Sequence, residues 1–232
     1  MFTNTTKRYQ AFIKHLRKEP AQRKTELVYN TPFQLLVAVI LSAQCTDKRV
    51  NLCTPALFSL FPTASLLSKA SFDAVFDCIK SISYPRNKTN FLIETAKRLV
   101  TTFNETIPSS VEALQTLPGV GRKTAHVIAS ILYNKPTLAV DTHVFRVAKR
   151  IGLAPQSATT PLMVEKELMA HLPIKYIQSA NQWILLHGRY ICIARKPKCN
   201  ACPITDFCDY FQNNPYAVQT RITKTEWRTA KE

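Results

Sequence analysis

The chain has only four glycines in 232 residues, and two of them stand one residue apart in Leu117-Pro118-Gly119-Val120-Gly121-Arg122-Lys123-Thr124-Ala125. Glycine admits positive φ and lets the backbone approach another group closely, so a proline followed by two glycines marks a tight turn. The turn opens onto Thr124-Ala125-His126-Val127-Ile128-Ala129, which reads as a helix. Such a turn either joins two helices and does nothing more, or aims successive N–H groups outward as an anion site. A P-loop is excluded. That motif requires Gly, four residues, then Gly-Lys-Ser/Thr, whereas here Arg122 separates Gly121 from Lys123 and Thr116 holds the place of the first glycine.

Charge narrows the choice of partner. Lys and Arg number 31 against 15 Asp and Glu, a net charge of +16. An excess of that size favours a polyanion, and nucleic acid is the commonest one. A membrane surface is the competing partner, but no amphipathic helix carries basic residues along one face. The longest purely apolar run, Leu35 to Leu41, is too short to span a bilayer. The N-terminus lacks the apolar region of a signal peptide, so a cytoplasmic protein with no membrane partner is expected.

Helical signals recur along the chain. Tyr9, Phe12, Ile13 and Leu16 are spaced for one face of a helix that ends before Pro20. Thr31-Pro32-Phe33-Gln34 combines a Thr-x-x-Gln capping box with proline at the first helical position. The run that follows is apolar on every side, as in a helix surrounded by others, and it delivers Ser42-Ala43-Gln44 at its end. Pro55 falls inside a helical stretch that it should kink. Further helices separated by Pro62, Pro85 and Pro108 follow, with Ser109-x-x-Glu112 as a second capping box. Helices are expected from Thr142 to about Gly152, near Pro161 to His171, and from Tyr176 to His187. No segment alternates as a strand would, so the fold class is all-α.

Four of the seven cysteines fall at Cys192, Cys199, Cys202 and Cys208, a C-x6-C-x2-C-x5-C pattern. In a reducing compartment this grouping indicates metal or cluster ligation rather than disulfides. Zinc held by four thiolates usually shows two short knuckles, and only one is present; a four-iron cluster held by four cysteines also fits. The segment Ile193-Ala194-Arg195-Lys196-Pro197-Lys198 places three cations between the first two thiols. Once clamped, such cations meet phosphates at little ordering cost. Cys45, Cys53 and Cys78 read as buried small residues. Beyond Cys208 the chain continues as a basic tail that carries Trp227, and docked and frayed tails both fit the sequence.

Leu41-Ser42-Ala43-Gln44, the hairpin at 117–125, Ala139-Val140-Asp141-Thr142-His143-Val144-Phe145-Arg146 and the cysteine pattern occur in this order. Together they resemble the endonuclease III family of helix-hairpin-helix DNA glycosylases. The resemblance implies two helical domains, one at 25–135 inserted into another built from 1–24 and 136–232. It assigns a [4Fe–4S] cluster to the four cysteines. It also implies a monomer acting on double-stranded DNA that contains damaged bases or abasic sites. In that family the residue matching Gln44 enters the space left by a flipped nucleotide, and the one matching Tyr84 wedges into the duplex. Gly119, Val120 and Gly121 would hold a phosphate through N–H groups, and Arg195, Lys196 and Lys198 would meet DNA from the cluster loop.

Lys123 and Asp141 carry the chemistry that the resemblance implies. Lys123 lies in the first turn of a helix, where the macrodipole disfavours an ammonium; with partial burial, that suits a nucleophilic amine. Asp141 is a natural N-cap for the helix that follows. The family places the matching pair across an interdomain cleft. The lysine attacks the sugar C1′ of a flipped nucleotide and a Schiff base forms. β-Elimination then cuts the strand 3′ to the abasic site. The implied substrates are oxidised pyrimidines, although Ser83-Tyr84-Pro85 replaces the family's Gly-hydrophobic-Tyr and leaves the loop's shape open. Two alternatives weigh less. An adenine-mismatch glycosylase generally lacks the lysine and adds a C-terminal domain, and a non-catalytic DNA-binding module would have no need of Lys123 and Asp141.

Overall fold

The structure is a computed structural model that describes residues 5–18 and 25–214, and among these residues there is no strand. Of the tail beyond Cys208, residues 215–232, with Trp227, lie outside the described residues. No described helix is long and apolar enough to cross a membrane. The chain forms two compact units, one of Arg23–Thr137 and one of Met1–Gln22 with Leu138–Glu232.

The Arg23–Thr137 unit is built around α2 (Pro32–Ser42), in which every residue from Phe33 to Leu41 is buried. The helices α3 (Asp47–Leu60), α6 (Pro85–Phe103) and α8 (Arg122–Tyr133) pack against it. Thr31 caps α2 by accepting the Gln34 N–H at 3.2 Å. The reciprocal half of the expected capping box is displaced by one residue, because Gln34 Oε1 accepts the Asn30 N–H at 2.8 Å. α3 continues through Pro55, which removes one rung of the ladder without ending the helix. The short helices α4 (Ala64–Ser68) and α5 (Phe72–Ile79) pack on α6. α7 (Val111–Gln115) is capped by Ser110, not Ser109: Ser110 has the extended backbone a cap needs, and its Oγ accepts the Ala113 N–H at 3.0 Å.

The other unit joins α1 (Thr5–Leu16) to α9 (Thr142–Ile151), α10 (Pro161–His171), α11 (Ile174–Tyr190) and α12 (Asp209–Asn213). Tyr9, Phe12 and Leu16 are buried, as their spacing predicts. α11 is longer than its sequence reading and ends two residues before Cys192. It lies so close to α9 at Gly188 that a Cβ there would stand 2.9 Å from the His143 Cβ. Glycine is what permits this approach.

Arg8 closes the unit. Its guanidinium donates to Phe207 O at 3.2 Å, to Gly152 O at 3.2 Å and to Asp209 Oδ1 at 2.6 Å. One buried side chain therefore ties the first helix to the end of α9 and to the segment around Cys208. Arg8→Met removes the guanidinium's donors from both carbonyls, while the carboxylate, 39% exposed, keeps access to water. The substitution should cost about 2 kcal/mol, mostly from lost hydrogen bonds rather than the screened ion pair. A fall in urea midpoint at unchanged slope would register it, with Asp209→Asn costing less than half as much.

Candidate active site and cluster loop

The hairpin follows from its glycines and its buried edges. Leu117 and Val120 are buried, and Gly119 has φ +77°, a region open to glycine at no cost. A Cβ at Gly119 would also stand 3.0 Å from the Phe91 Cβ on α6. Thr95 on the same helix donates to Pro118 O at 2.7 Å. Gly121 is the N-cap of α8, and Ala125 N–H makes the first bond of that helix, to Gly121 O at 2.9 Å. The expected three-amide phosphate cradle needs one correction. Val120 N–H turns into the hairpin and donates to Leu117 O at 3.0 Å, which takes it out of the expected set of outward N–H groups.

Lys123 is the second residue of α8, in the turn where the macrodipole is positive. It is exposed rather than partly buried. The reason is helical phase: Ala125, His126, Ile128 and Ala129 form the buried face of α8, and Lys123 projects from the other.

Gln44 and Tyr84 are also exposed, and both have left-handed backbones, with φ of +54° and +55°. For a non-glycine residue, above all a bulky one, this is uncommon and costs about 1 kcal/mol. Pro85 is the first residue of α6, so the departure at Ser83-Tyr84-Pro85 produces a sharp helix start with Tyr84 as its cap. The hollow beside it, about 370 Å³, is lined by Phe76, Tyr84, Pro85, Arg86 and Asn87. The structure brings the Gln44 and Tyr84 loops together through Lys88, a residue that sequence reasoning missed. Lys88 is 4% exposed, and its Nζ donates to Leu41 O at 2.8 Å and to Ala43 O at 2.6 Å. Burial holds its pKa below the usual lysine range. The available signal was spacing: Lys88, Leu92, Thr95, Ala96 and Leu99 share the buried stripe of α6.

Asp141 belongs to the other unit and is the N-cap of α9, as its position predicts. Its Oδ1 accepts the N–H groups of His143 at 2.9 Å and Val144 at 2.8 Å. The carboxylate is thereby fixed in orientation while it remains only half-buried.

The four clustered cysteines share one neighbourhood. Burial, reinforced by the fields of the other three thiols, pushes Cys202 up to about 12. Burial likewise pushes Cys208 up to about 11. These thiols must lose protons when they ligate iron. Among the described residues no three His, Cys, Asp or Glu side chains close around a single metal ion. A four-iron cluster is wider than one ion and takes one thiolate from each cysteine, so four thiols around a common volume suit it. All seven cysteines are free; Cys53 is buried, but Cys45 and Cys78 are only half-buried.

Two arginines one turn apart on α9 hold the cluster segment. Arg146 donates to Gly188 O at 2.8 Å and to Cys192 O at 3.0 Å. Arg150 donates to Ile193 O at 2.8 Å and to Ala194 O at 2.7 Å. Lys198 N–H closes the loop on Ile191 O at 2.9 Å, which leaves Arg195, Lys196 and Lys198 on its exposed rim. The purified protein should be brown, with broad visible absorbance, and Cys202→Ser should lose both iron and colour. A colourless wild type with about one zinc per chain would contradict this reading of the four thiols.

Comparison with known proteins agrees with this geometry. Residues 37–173 match the HhH-GPD superfamily of base excision DNA repair proteins, and residues 192–208 match the iron–sulfur binding domain of endonuclease III. The chain is 48% identical to the endonuclease III of Rickettsia conorii over 82% of its own length and 90% of that protein's. To the Escherichia coli K12 enzyme it is 40% identical, over 89% of this chain and 97% of the other. A solved endonuclease III–DNA covalent intermediate superposes with a TM-score of 0.81 at 36% identity, covering 91% of this chain and 98% of that one. An all-α fold, a [4Fe–4S] cysteine segment and this similarity along most of the chain have one common meaning: the protein belongs to the endonuclease III family, the DNA glycosylases and abasic-site lyases of base excision repair.

Proposed function

We propose that the protein removes oxidised or ring-saturated pyrimidines from duplex DNA and cleaves at abasic sites. It does so as a cytoplasmic monomer, with Lys123 as nucleophile and Asp141 as its electrostatic partner. The observation that carries this reading is the placement of Lys123: an exposed amine in the first turn of α8, directly after a two-glycine hairpin. The similarity to a trapped endonuclease III–DNA covalent intermediate supports a covalent step.

The chemistry follows from these groups. DNA is engaged through Gly119 and Gly121 N–H groups and through Arg195, Lys196 and Lys198, contacts that position without reading sequence. Gln44 and Tyr84 occupy the gap left when the damaged nucleotide is flipped out. The Lys123 amine attacks C1′, the bond from C1′ to the base breaks, and the proton that the amine gives up ends on the departing base. Asp141, held by its two amides, stabilises the positive charge that develops on the sugar. Ring opening gives a Schiff base. Loss of a C2′ proton then expels the 3′ phosphate, and water releases the lysine. The iron–sulfur cluster stays outside this sequence; when bound, it clamps the basic loop.

Borohydride reduction during turnover should trap a one-to-one protein–DNA adduct, because it converts the Schiff base to a stable amine. Lys123→Gln should abolish trapping and strand cleavage while leaving abasic-site binding within about threefold, since the hairpin contacts come from backbone. Asp141→Asn should still be trapped but turn over about a hundredfold more slowly. Arg122→Ala should weaken binding modestly and spare trapping. Trapping of Lys123→Gln at the wild-type rate would place the nucleophile elsewhere.

The cluster loop makes a separate prediction. Binding to undamaged duplex should weaken with salt at a log–log slope of about −0.9 per phosphate contact. Substituting Lys196 and Lys198 together by alanine should flatten that slope by about two units. An unchanged slope would mean that the loop does not touch the backbone.

A further inference from the structure

α2 ends where a helix leaves its last carbonyls without partners from its own backbone. Ser42 Oγ bonds Val39 O, Ala43 N–H bonds Ile40 O and Cys45 N–H bonds Ser42 O, which leaves the buried Leu41 O to a distant donor. Lys88 supplies the donor: one Nζ lies 2.8 Å from Leu41 O and 2.6 Å from Ala43 O, and the side chain is 4% exposed. A cation is suited to this place, because the carbonyl end of a helix is the negative end of its macrodipole. Gln44 follows Ala43 directly, so the ammonium fixes the peptide from which the left-handed Gln44 departs.

The same lysine is fixed to the second loop. Lys88 N–H donates to Tyr84 O at 3.1 Å, and Thr89 Oγ1 donates to Pro85 O at 2.9 Å. Tyr84 is the left-handed cap of α6 and Lys88 lies on its first full turn. One residue thus grips the end of α2 with its side chain and the start of α6 with its backbone. The α6 face continues to Phe91 against Gly119 and Thr95 on Pro118 O.

We infer that Lys88 is the positioning residue that fixes Gln44 and Tyr84 at the spacing needed to enter the duplex together. It touches no DNA and no reacting atom. Its contribution is pre-organisation: two side chains that must enter one gap act together only if the loops bearing them do not move independently. This rests on the wedge roles proposed for Gln44 and Tyr84. Its consequence is selective, because displacing a nucleotide from a stack is required in duplex DNA and not in a single strand.

The experiment compares borohydride trapping on an abasic site in a duplex with trapping on the same site in a single strand. Lys88→Met should lower the duplex-to-single-strand rate ratio by about tenfold or more while leaving the single-strand rate within about threefold of wild type. Lys88→Arg keeps the charge, but a planar fork cannot seat one nitrogen between both carbonyls, so the ratio should fall by about threefold. It also carries the test alone if the methionine variant does not fold. Equal losses on both substrates, or an unchanged ratio in the arginine variant, would overturn the inference and leave Lys88 a purely structural residue. Two controls separate this from failure of the underlying reading. A wild type that is not trapped on either substrate refutes the Lys123 chemistry. Gln44→Ala and Tyr84→Ala proteins with an unchanged ratio refute the wedge roles.

Discussion

A helix buried on every side poses a problem at its ends, and the architecture of the Arg23–Thr137 unit follows from how α2 solves it. Nine consecutive buried residues give α2 no solvated face, so both sets of orphan backbone groups need partners from within the protein. At the N-terminus the answer is local, with Thr31 bonding the Gln34 N–H three residues on. At the C-terminus Ser42 Oγ bonds Val39 O, but the buried Leu41 O takes its donor from Lys88, 47 residues further on. Seating that ammonium fixes where α6 begins. The stripe that continues along α6 then fixes the hairpin through Phe91 and Thr95. The apolar run that fills the core therefore also determines where the Gln44 and Tyr84 loops and the hairpin stand.

The other unit meets an analogous demand with arginine. The segment that carries the four thiols is poor in regular structure, consisting mainly of two single-turn 3₁₀ helices at Cys199–Ala201 and Thr205–Phe207. Some of its carbonyls bond within the segment, and others are satisfied from outside, by Arg8 on α1 and by Arg146 and Arg150 on α9. A guanidinium stays charged and offers several donors in a fixed plane, which suits it to bond carbonyls with different nitrogens at once. These cations also sit beside a group of thiolates in the ligated state, where positive charge is stabilising. Arg150 Nη1 lies 3.5 Å from the Cys192 Sγ. The scaffold that holds the loop thus also lowers the cost of gathering its charges.

What could be read from the sequence was what depends on near neighbours. The caps at Thr31 and Asp141, the buried faces of α1 and α2, the stop at Gly152 and the grouped cysteines each express a rule spanning a few residues. The misplacements have the same range: Ser110 caps α7 where Ser109 was expected, one residue away and equally able by composition. Lys123 was expected to be partly buried, but the phase of α8 turns it outward, and the first turn, Arg122-Lys123-Thr124, holds no apolar residue to mark that phase. The amide of Val120 could not be assigned without the turn's dihedrals. Lys88, Arg8, Arg146 and Arg150 were unreadable for a deeper reason. Their partners lie 42 to 199 residues away, and a long cation satisfying distant carbonyls looks, in sequence, like any solvated charge.

The left-handed residues show what this scaffold supports. Among the described residues five non-glycine positions have positive φ, and two of them, Asn104 and Asn134, end helices where asparagine tolerates that conformation. Gln44 and Tyr84 have no such excuse. Glycine would adopt the same backbone without strain but carries no side chain, and at Gly119 the chain does use glycine. A side chain of useful length at a left-handed position costs about 1 kcal/mol, and such strain persists only where the surroundings over-determine the conformation. At Gln44 and Tyr84 the over-determination is visible: charged hydrogen bonds from Lys88 precede the first, and a helix start fixed by Pro85 follows the second. Strain at these two points is thus set against an ammonium and a proline ring, both of which leave Gln44 and Tyr84 facing solvent.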